Sequence, residues 1–135
     1  MTISKRKTYL FLAGAVLMLV GFYIGFMPTG YLEQFVSNTE LNPNILSEMR
    51  GMGGSLFIFG MFVFSGTFLP QIEKVALTIS ALIFISFSLF RVVGIVLDGV
   101  PTQSIFVALF IEILFAATVL PLLFPKSRQF AADIS

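Results

Sequence analysis

Four apolar runs, each about long enough to cross a bilayer as a helix, occupy most of this chain: residues 9–27, 47–69, 75–97 and 103–124. Lipid offers no partner to a peptide N–H or C=O. Runs of this length must therefore close their hydrogen bonds internally, as helices. Pro28, Pro70 and Pro125 mark the ends of the first, second and fourth runs. Residues 70–74 join the second run to the third, and Asp98-Gly99-Val100-Pro101 forms a tight turn into the fourth. Connections this short make neighbouring helices antiparallel. The expected fold is all-α, an integral-membrane antiparallel four-helix bundle forming a single domain over residues 1–135, with no internal repeat or linker.

Positive charge gives the orientation. Lys5, Arg6 and Lys7 precede the first run, Lys74 lies between the second and third, and Lys126 and Arg128 follow the fourth. All six fall on one side of a four-span protein, and the loops on the other side hold no Lys or Arg. The positive-inside rule then places both termini in the cytoplasm and the loop over residues 28–46 outside. Lys5-Arg6-Lys7 also suits the start of a signal peptide, but no small-x-small cleavage site follows before Pro28, so an uncleaved helix is expected.

In the outer loop, Tyr31, Leu32, Phe35 and Val36 would share the apolar side of a short surface helix, with Glu33, Gln34 and Asn38 toward water. An irregular loop explains the same residues equally well. Asn42-Pro43 has the pattern of a helix N-cap followed by Pro at the first helical position, so the second helix is expected to begin before the apolar run does.

Composition narrows the chemistry. The chain is 57% hydrophobic and 11% charged, against about 25% charged in soluble domains. It has no Cys, which excludes disulfides, thiolate metal sites and lipid attachment at Cys. It has no His, the usual haem and transition-metal ligand and the commonest proton carrier near neutral pH. No metal or cofactor is expected, and any proton chemistry falls to Glu and Asp. A net charge of +1 makes no case for nucleic acid.

Five charged residues then stand out within or at the ends of these helices: Glu48, Arg50, Arg91, Asp98 and Glu112. A charge at the bilayer centre costs about 2.5–3.5 kcal/mol or more, so it needs a partner or a function. On the third run, Ser80, Phe84, Phe87, Ser88, Arg91, Gly94 and Asp98 form one helical stripe, which should face the bundle interior. Folding the fourth run back from the Asp98–Pro101 turn sets Arg91 opposite Phe110 and Glu112 opposite Leu89. That offset is roughly 3 Å of helix rise, which an arginine side chain spans, so Arg91 and Glu112 are expected to pair. Arg50 should lie about a turn shallower, with Glu48 and Asp98 at the mouth of a single polar pocket. Glu48 and Arg50 point to opposite sides of their helix and should not bond to each other.

Structural roles compete with functional ones at each position. The Arg91–Glu112 pair can simply fix helix register, Asp98 can form the turn before Gly99, and Glu48 suits the positive end of a helix dipole. The glycines of Gly51-Met52-Gly53-Gly54-Ser55 permit close helix approach or leave room for a ligand. Gly14, Gly21 and Gly25 share a face of the first run, a pattern for close contact within the chain or in a dimer.

Several of these residues carry a resemblance. Glu48-Met49-Arg50-Gly51-Met52-Gly53-Gly54 opens the second run, Arg91-Val92-Val93-Gly94 and Asp98-Gly99-Val100-Pro101 close the third, and Glu112 follows in the fourth. Over nearly its whole length the chain resembles the small bacterial membrane proteins of domain-of-unknown-function family 4345, related to the DoxX-like four-helix proteins. The resemblance implies a four-helix fold in the bacterial inner membrane and no assigned reaction. Because the DoxX-like group includes membrane partners of redox enzymes, it also raises a quinone or redox-accessory role. Without Cys or His, this chain is not expected to carry electrons itself.

The leading functional expectation is non-enzymatic: binding of a lipid, quinone or other amphipathic molecule, or service as an accessory subunit. Two arginines suit a carboxylate, phosphate or quinone oxygen, whereas three carboxylates argue against a simple anion pore. The alternative is a small transporter or channel subunit gated by protonation of Glu112. A membrane enzyme using carboxylates on a lipid-like substrate ranks third, because no nucleophile motif, nicotinamide loop or phosphate loop is present. The expected partners are the bilayer, a lipid or quinone ligand, and a homo-oligomer or larger membrane complex.

Overall fold

The computed structural model describes residues 4–36 and 42–125. Asn38, Lys126 and Arg128 lie outside the described residues. The elements are α1 (Lys5–Phe26), the short α2 (Pro28–Leu32), α3 (Pro43–Ser65), a 3-10 turn (Pro70–Ile72), α4 (Glu73–Asp98) and α5 (Gln103–Leu123). No strand occurs among the described residues.

Among the described residues, three segments are both long and apolar enough to cross a membrane: Lys5–Phe26, Pro70–Asp98 and Gln103–Leu123. The expected second span differs. At 23 residues α3 matches the others in length, but Glu48, Arg50 and a run of glycines dilute the apolar character of its first half. Its start follows the sequence pattern, since the Asn42 Oδ1 accepts the Ile45 N–H at 3.0 Å and Pro43 takes the first turn. Its end comes four residues before the Leu69 that hydropathy suggested. Gly66, Thr67 and Phe68 close short turns onto carbonyls three residues back, and a Cβ at Gly66 would come within 2.6 Å of the Ala76 Cβ on α4. At the other tight connection Gly99 has φ +100°, a conformation that favours glycine and ends α4 at Asp98.

The most extensive packing is between α1 and α3, through glycine. Gly14 lies against Phe64, Gly21 against Phe57, Gly25 against Gly53 and Gly60 against Met18, all in one antiparallel register. A Cβ added at Gly14 would approach the Phe64 amide nitrogen to 2.5 Å, and one at Gly60 the Met18 nitrogen to 2.7 Å. Missing side chains thus let two backbones meet directly. The glycine face of α1 serves a contact within the chain. The glycine run of α3 divides, because Gly53 faces the backbone of α1 while a Cβ at Gly51 or Gly54 would meet nothing within 4 Å.

Helices α4 and α5 form a second antiparallel pair. The Phe84 and Phe115 rings stack at 4.7 Å, and Tyr9 meets Phe115 edge-on at 5.8 Å. The core joins Tyr9, Leu10, Ala13 and Leu17 of α1 to Val63 of α3, Ala76, Leu77, Ala81 and Phe84 of α4, and Val119 of α5. Within it, the Tyr9 and Ser80 hydroxyls share a buried hydrogen bond of 2.7 Å, and Arg6 meets Glu73 at 3.2 Å nearby. The Tyr9–Ser80 and Arg6–Glu73 contacts lie toward the start of α1, while buried Ile24 and Leu56 carry the core along the α1–α3 contact toward its other end. No residue of α4 beyond Phe84, and none of α5 before Val119, is fully buried. The second half of α4 and the first half of α5 therefore pack incompletely, which leaves space beside α1 and α3.

Gly53→Ala should lower the thermal unfolding midpoint of the detergent-solubilised protein by the equivalent of about 1–3 kcal/mol, the usual cost of overpacking. Gly54→Ala, with open space at its Cβ, should leave the midpoint unchanged or raise it by up to about 1 kcal/mol. Equal midpoints for the two variants would refute the seam. Separately, a Tyr9→Phe and Ser80→Ala double-mutant cycle should return a coupling of about 0.6–1.7 kcal/mol, the range for hydrogen bonds between membrane helices.

Candidate functional site

Arg91 lies on the inward stripe of α4 and Glu112 on the facing side of α5. The Arg91 Nε–H is shared between both Glu112 oxygens, at 2.9 Å to Oε1 and 2.8 Å to Oε2. This is the partnership expected from folding one helix back on the other. The two side chains are 22% and 12% exposed, which places them at a wall rather than in the closed core or on the open surface. The Arg91 guanidinium carbon also lies 5.8 Å from the centroid of the Phe87 ring. Glu112 engages only Nε. The guanidinium has five N–H donors, and the four on its terminal nitrogens have no hydrogen-bond partner among the described residues.

Beside this pair lies a cavity of about 280 Å³. Its walls are apolar: Leu17 and Val20 from α1, Met52 and Leu56 from α3, Ile83 and Phe84 from α4, Ile105 and Ala108 from α5. The segment after α1 lines one end of it with Tyr31, Gln34 and Phe35. There Tyr23, Tyr31 and Phe35 pack ring against ring, and the Gln34 amide donates to the Tyr23 hydroxyl at 2.8 Å. The surface-helix expectation is met in part. The helix is five residues long, Tyr31 and Phe35 turn inward, and Val36 remains exposed. Gln34 is exposed as expected, and its amide reaches the Tyr23 hydroxyl from there.

Two grooves adjoin the cavity. One lies between α3 and α4 and shares Met52, Leu56, Ile83 and Phe87 with it. The other lies on the far side of Arg91 and is lined by Gly94, Asp98 and Ile105. The single cluster of five charges therefore divides. Arg91 and Glu112 pair at the cavity, and exposed Asp98 lines the groove behind Arg91. Arg50 is elsewhere, its Nη1 donating to the Gly25 and Phe26 carbonyls at 2.8 and 3.5 Å. It is three residues before Gly53, on the helix face turned to α1. It therefore meets the negative end of the α1 dipole. Glu48, on the opposite side of α3 from Arg50, is exposed and makes no salt bridge with a described residue.

Sequence reasoning did not single out Tyr23 or Ser104, which add hydroxyls to the cavity. A tyrosine in the last turn of an apolar helix is a usable signal, because its hydroxyl needs a partner when it is covered. Among the described residues no group of three or more Asp, Glu, His or Cys converges to hold a metal.

No curated protein and no solved structure matches the chain. The family described as Domain of unknown function (DUF4345) matches residues 6–123, from the first turn of α1 to the end of α5 and across every residue of the site. With that match spanning most of its length, the chain belongs to the DUF4345 family.

Proposed function

We propose that this is a four-helix protein of the bacterial inner membrane that binds a small amphipathic molecule, a lipid or a quinone, in the cavity beside Arg91. The observation that carries this reading is the division of labour within one side chain. The Nε of Arg91 is committed to Glu112, and its terminal nitrogens have no protein partner among the described residues. A guanidinium held by one edge is oriented. Its other donors suit a carbonyl, carboxylate or phosphate oxygen. The apolar walls suit a ring or acyl chain, and the groove between α3 and α4 offers a route from lipid. Binding rather than turnover is the function these residues support.

The membrane arrangement belongs to the same proposal. The glycine seam sets α3 along α1, so α3 crosses with it despite its lower hydropathy. The Arg6–Glu73 contact brings the starts of α1 and α4 to one end, with Lys5, Lys7 and Lys74. On the positive-inside rule that end is cytoplasmic, and the Arg91 site lies in the outer half.

Native mass spectrometry of the purified protein should detect a retained molecule of lipid or quinone mass. Arg91→Ala should reduce retention about 10- to 100-fold, as expected for losing charge-assisted hydrogen bonds, whereas Arg50→Ala should preserve it. Equal loss in both variants, or full retention in Arg91→Ala, would overturn the proposal. To separate ligand loss from misfolding, Arg91→Met with Glu112→Leu removes both charges together; this double variant should stay folded and still lose the ligand. Glu112→Gln alone should cost about 1–3 kcal/mol of stability, allowing for partial exposure.

A further inference from the structure

The opposite end of the molecule carries a separate groove of about 730 Å³ between the first turns of α1 and the last turns of α5. Leu12, Leu114, Phe115, Pro121 and Leu122 make its walls apolar, and Lys5 stands at its rim. The other polar groups there are already engaged. The Thr8 hydroxyl bonds to the Ser4 carbonyl at 3.3 Å, the Thr118 hydroxyl to the Leu114 carbonyl at 2.7 Å, and the Tyr9 hydroxyl to Ser80 at 2.7 Å. The Lys5 ammonium makes no hydrogen bond or salt bridge with a described residue. Arg6 and Glu73 neutralise each other, so the charge left at the groove is the positive one on Lys5.

We infer that this groove is a binding site for an anionic phospholipid, with one acyl chain lying between α1 and α5 and the phosphate on Lys5. Charge complementarity selects this occupant. A zwitterionic headgroup would bring its own cation to a rim where the Lys5 ammonium is already unneutralised, whereas an anionic one supplies the missing counter-charge. The dimensions agree: from Lys5 to Leu12 the groove follows α1 for about 10 Å, and from Leu114 to Leu122 it follows α5 for about 12 Å. The outer faces of Leu12 and Leu114, 51% and 55% exposed, leave it open along its length to neighbouring lipid. Pro121 has no N–H for the Ala117 carbonyl, so the α5 wall ends in a locally loosened turn. On the proposed orientation this end meets the cytoplasmic leaflet, where anionic lipids are enriched.

The full chain in detergent, offered dioleoyl phosphatidylglycerol or dioleoyl phosphatidylcholine, should retain one phosphatidylglycerol in native mass spectrometry. Lys5→Gln should reduce that retention about fivefold, the effect of one basic residue at a membrane surface. Lys7→Gln, whose side chain is outside the groove, should leave it unchanged. Thr118→Trp should block the groove and abolish retention with Lys5 intact, and Arg91→Ala should keep the lipid. Equal retention of phosphatidylcholine, or equal losses in Lys5→Gln and Lys7→Gln, would overturn the site in favour of diffuse surface charge.

Discussion

The glycine seam between α1 and α3 is the constraint from which the rest of the structure follows. Gly14, Gly21, Gly25, Gly53 and Gly60 bring the two backbones into contact, so little side-chain volume separates them. Lipid tails are as apolar as leucine, and dispersion between close backbones is one of the few forces that hold helices together there. With α1 and α3 joined over most of their length, α4 and α5 pack against the pair fully at one end alone, from Ala76 to Phe84 and at Val119. The incomplete packing beyond that core is the cavity. Arg91 and Glu112 sit where the core stops, which explains why their side chains are lined by apolar residues yet not sealed.

Charge is distributed according to what each helix face meets. Arg50 shares the α1-facing side of α3 with Gly53 and closes the end of α1 through two carbonyls. Arg91 has no helix end to cap, since the α4 stripe directs it at α5, and Glu112 is the acceptor there. Arg50 and Arg91 therefore have different roles, one ending a helix and one lining a cavity beside its carboxylate partner. Because a carboxylate holds Nε, the guanidinium plane is oriented before any ligand arrives, and a pre-organised donor loses less entropy on binding.

Much of this was legible in the sequence because membrane helices obey few rules. Hydropathy located the long helices, the Asn42-Pro43 pattern gave the start of α3, and the Gly99 turn set the register that pairs Arg91 with Glu112. Helical periodicity shows which residues share a face but not which neighbour that face meets. Arg50 was accordingly grouped with Arg91 on depth alone, while the contact of its face with α1 depends on glycines in two distant segments. The end of α3 at Ser65 also escaped detection, since Phe68 and Leu69 are apolar residues in a turn. The outer boundary of the cavity depends on Tyr23, Tyr31 and Gln34 meeting across a chain reversal, a contact no local pattern encodes.

An experimental structure of the protein purified with its native lipids provides the most direct test. Density for a non-protein molecule should fill the space between Phe84 and Tyr31, with an oxygen about 2.7–2.9 Å from a terminal nitrogen of Arg91, while Nε remains on Glu112. A guanidinium turned to the surrounding acyl chains and away from Glu112, or a cavity closed by its own side chains, would contradict the binding site proposed for this protein.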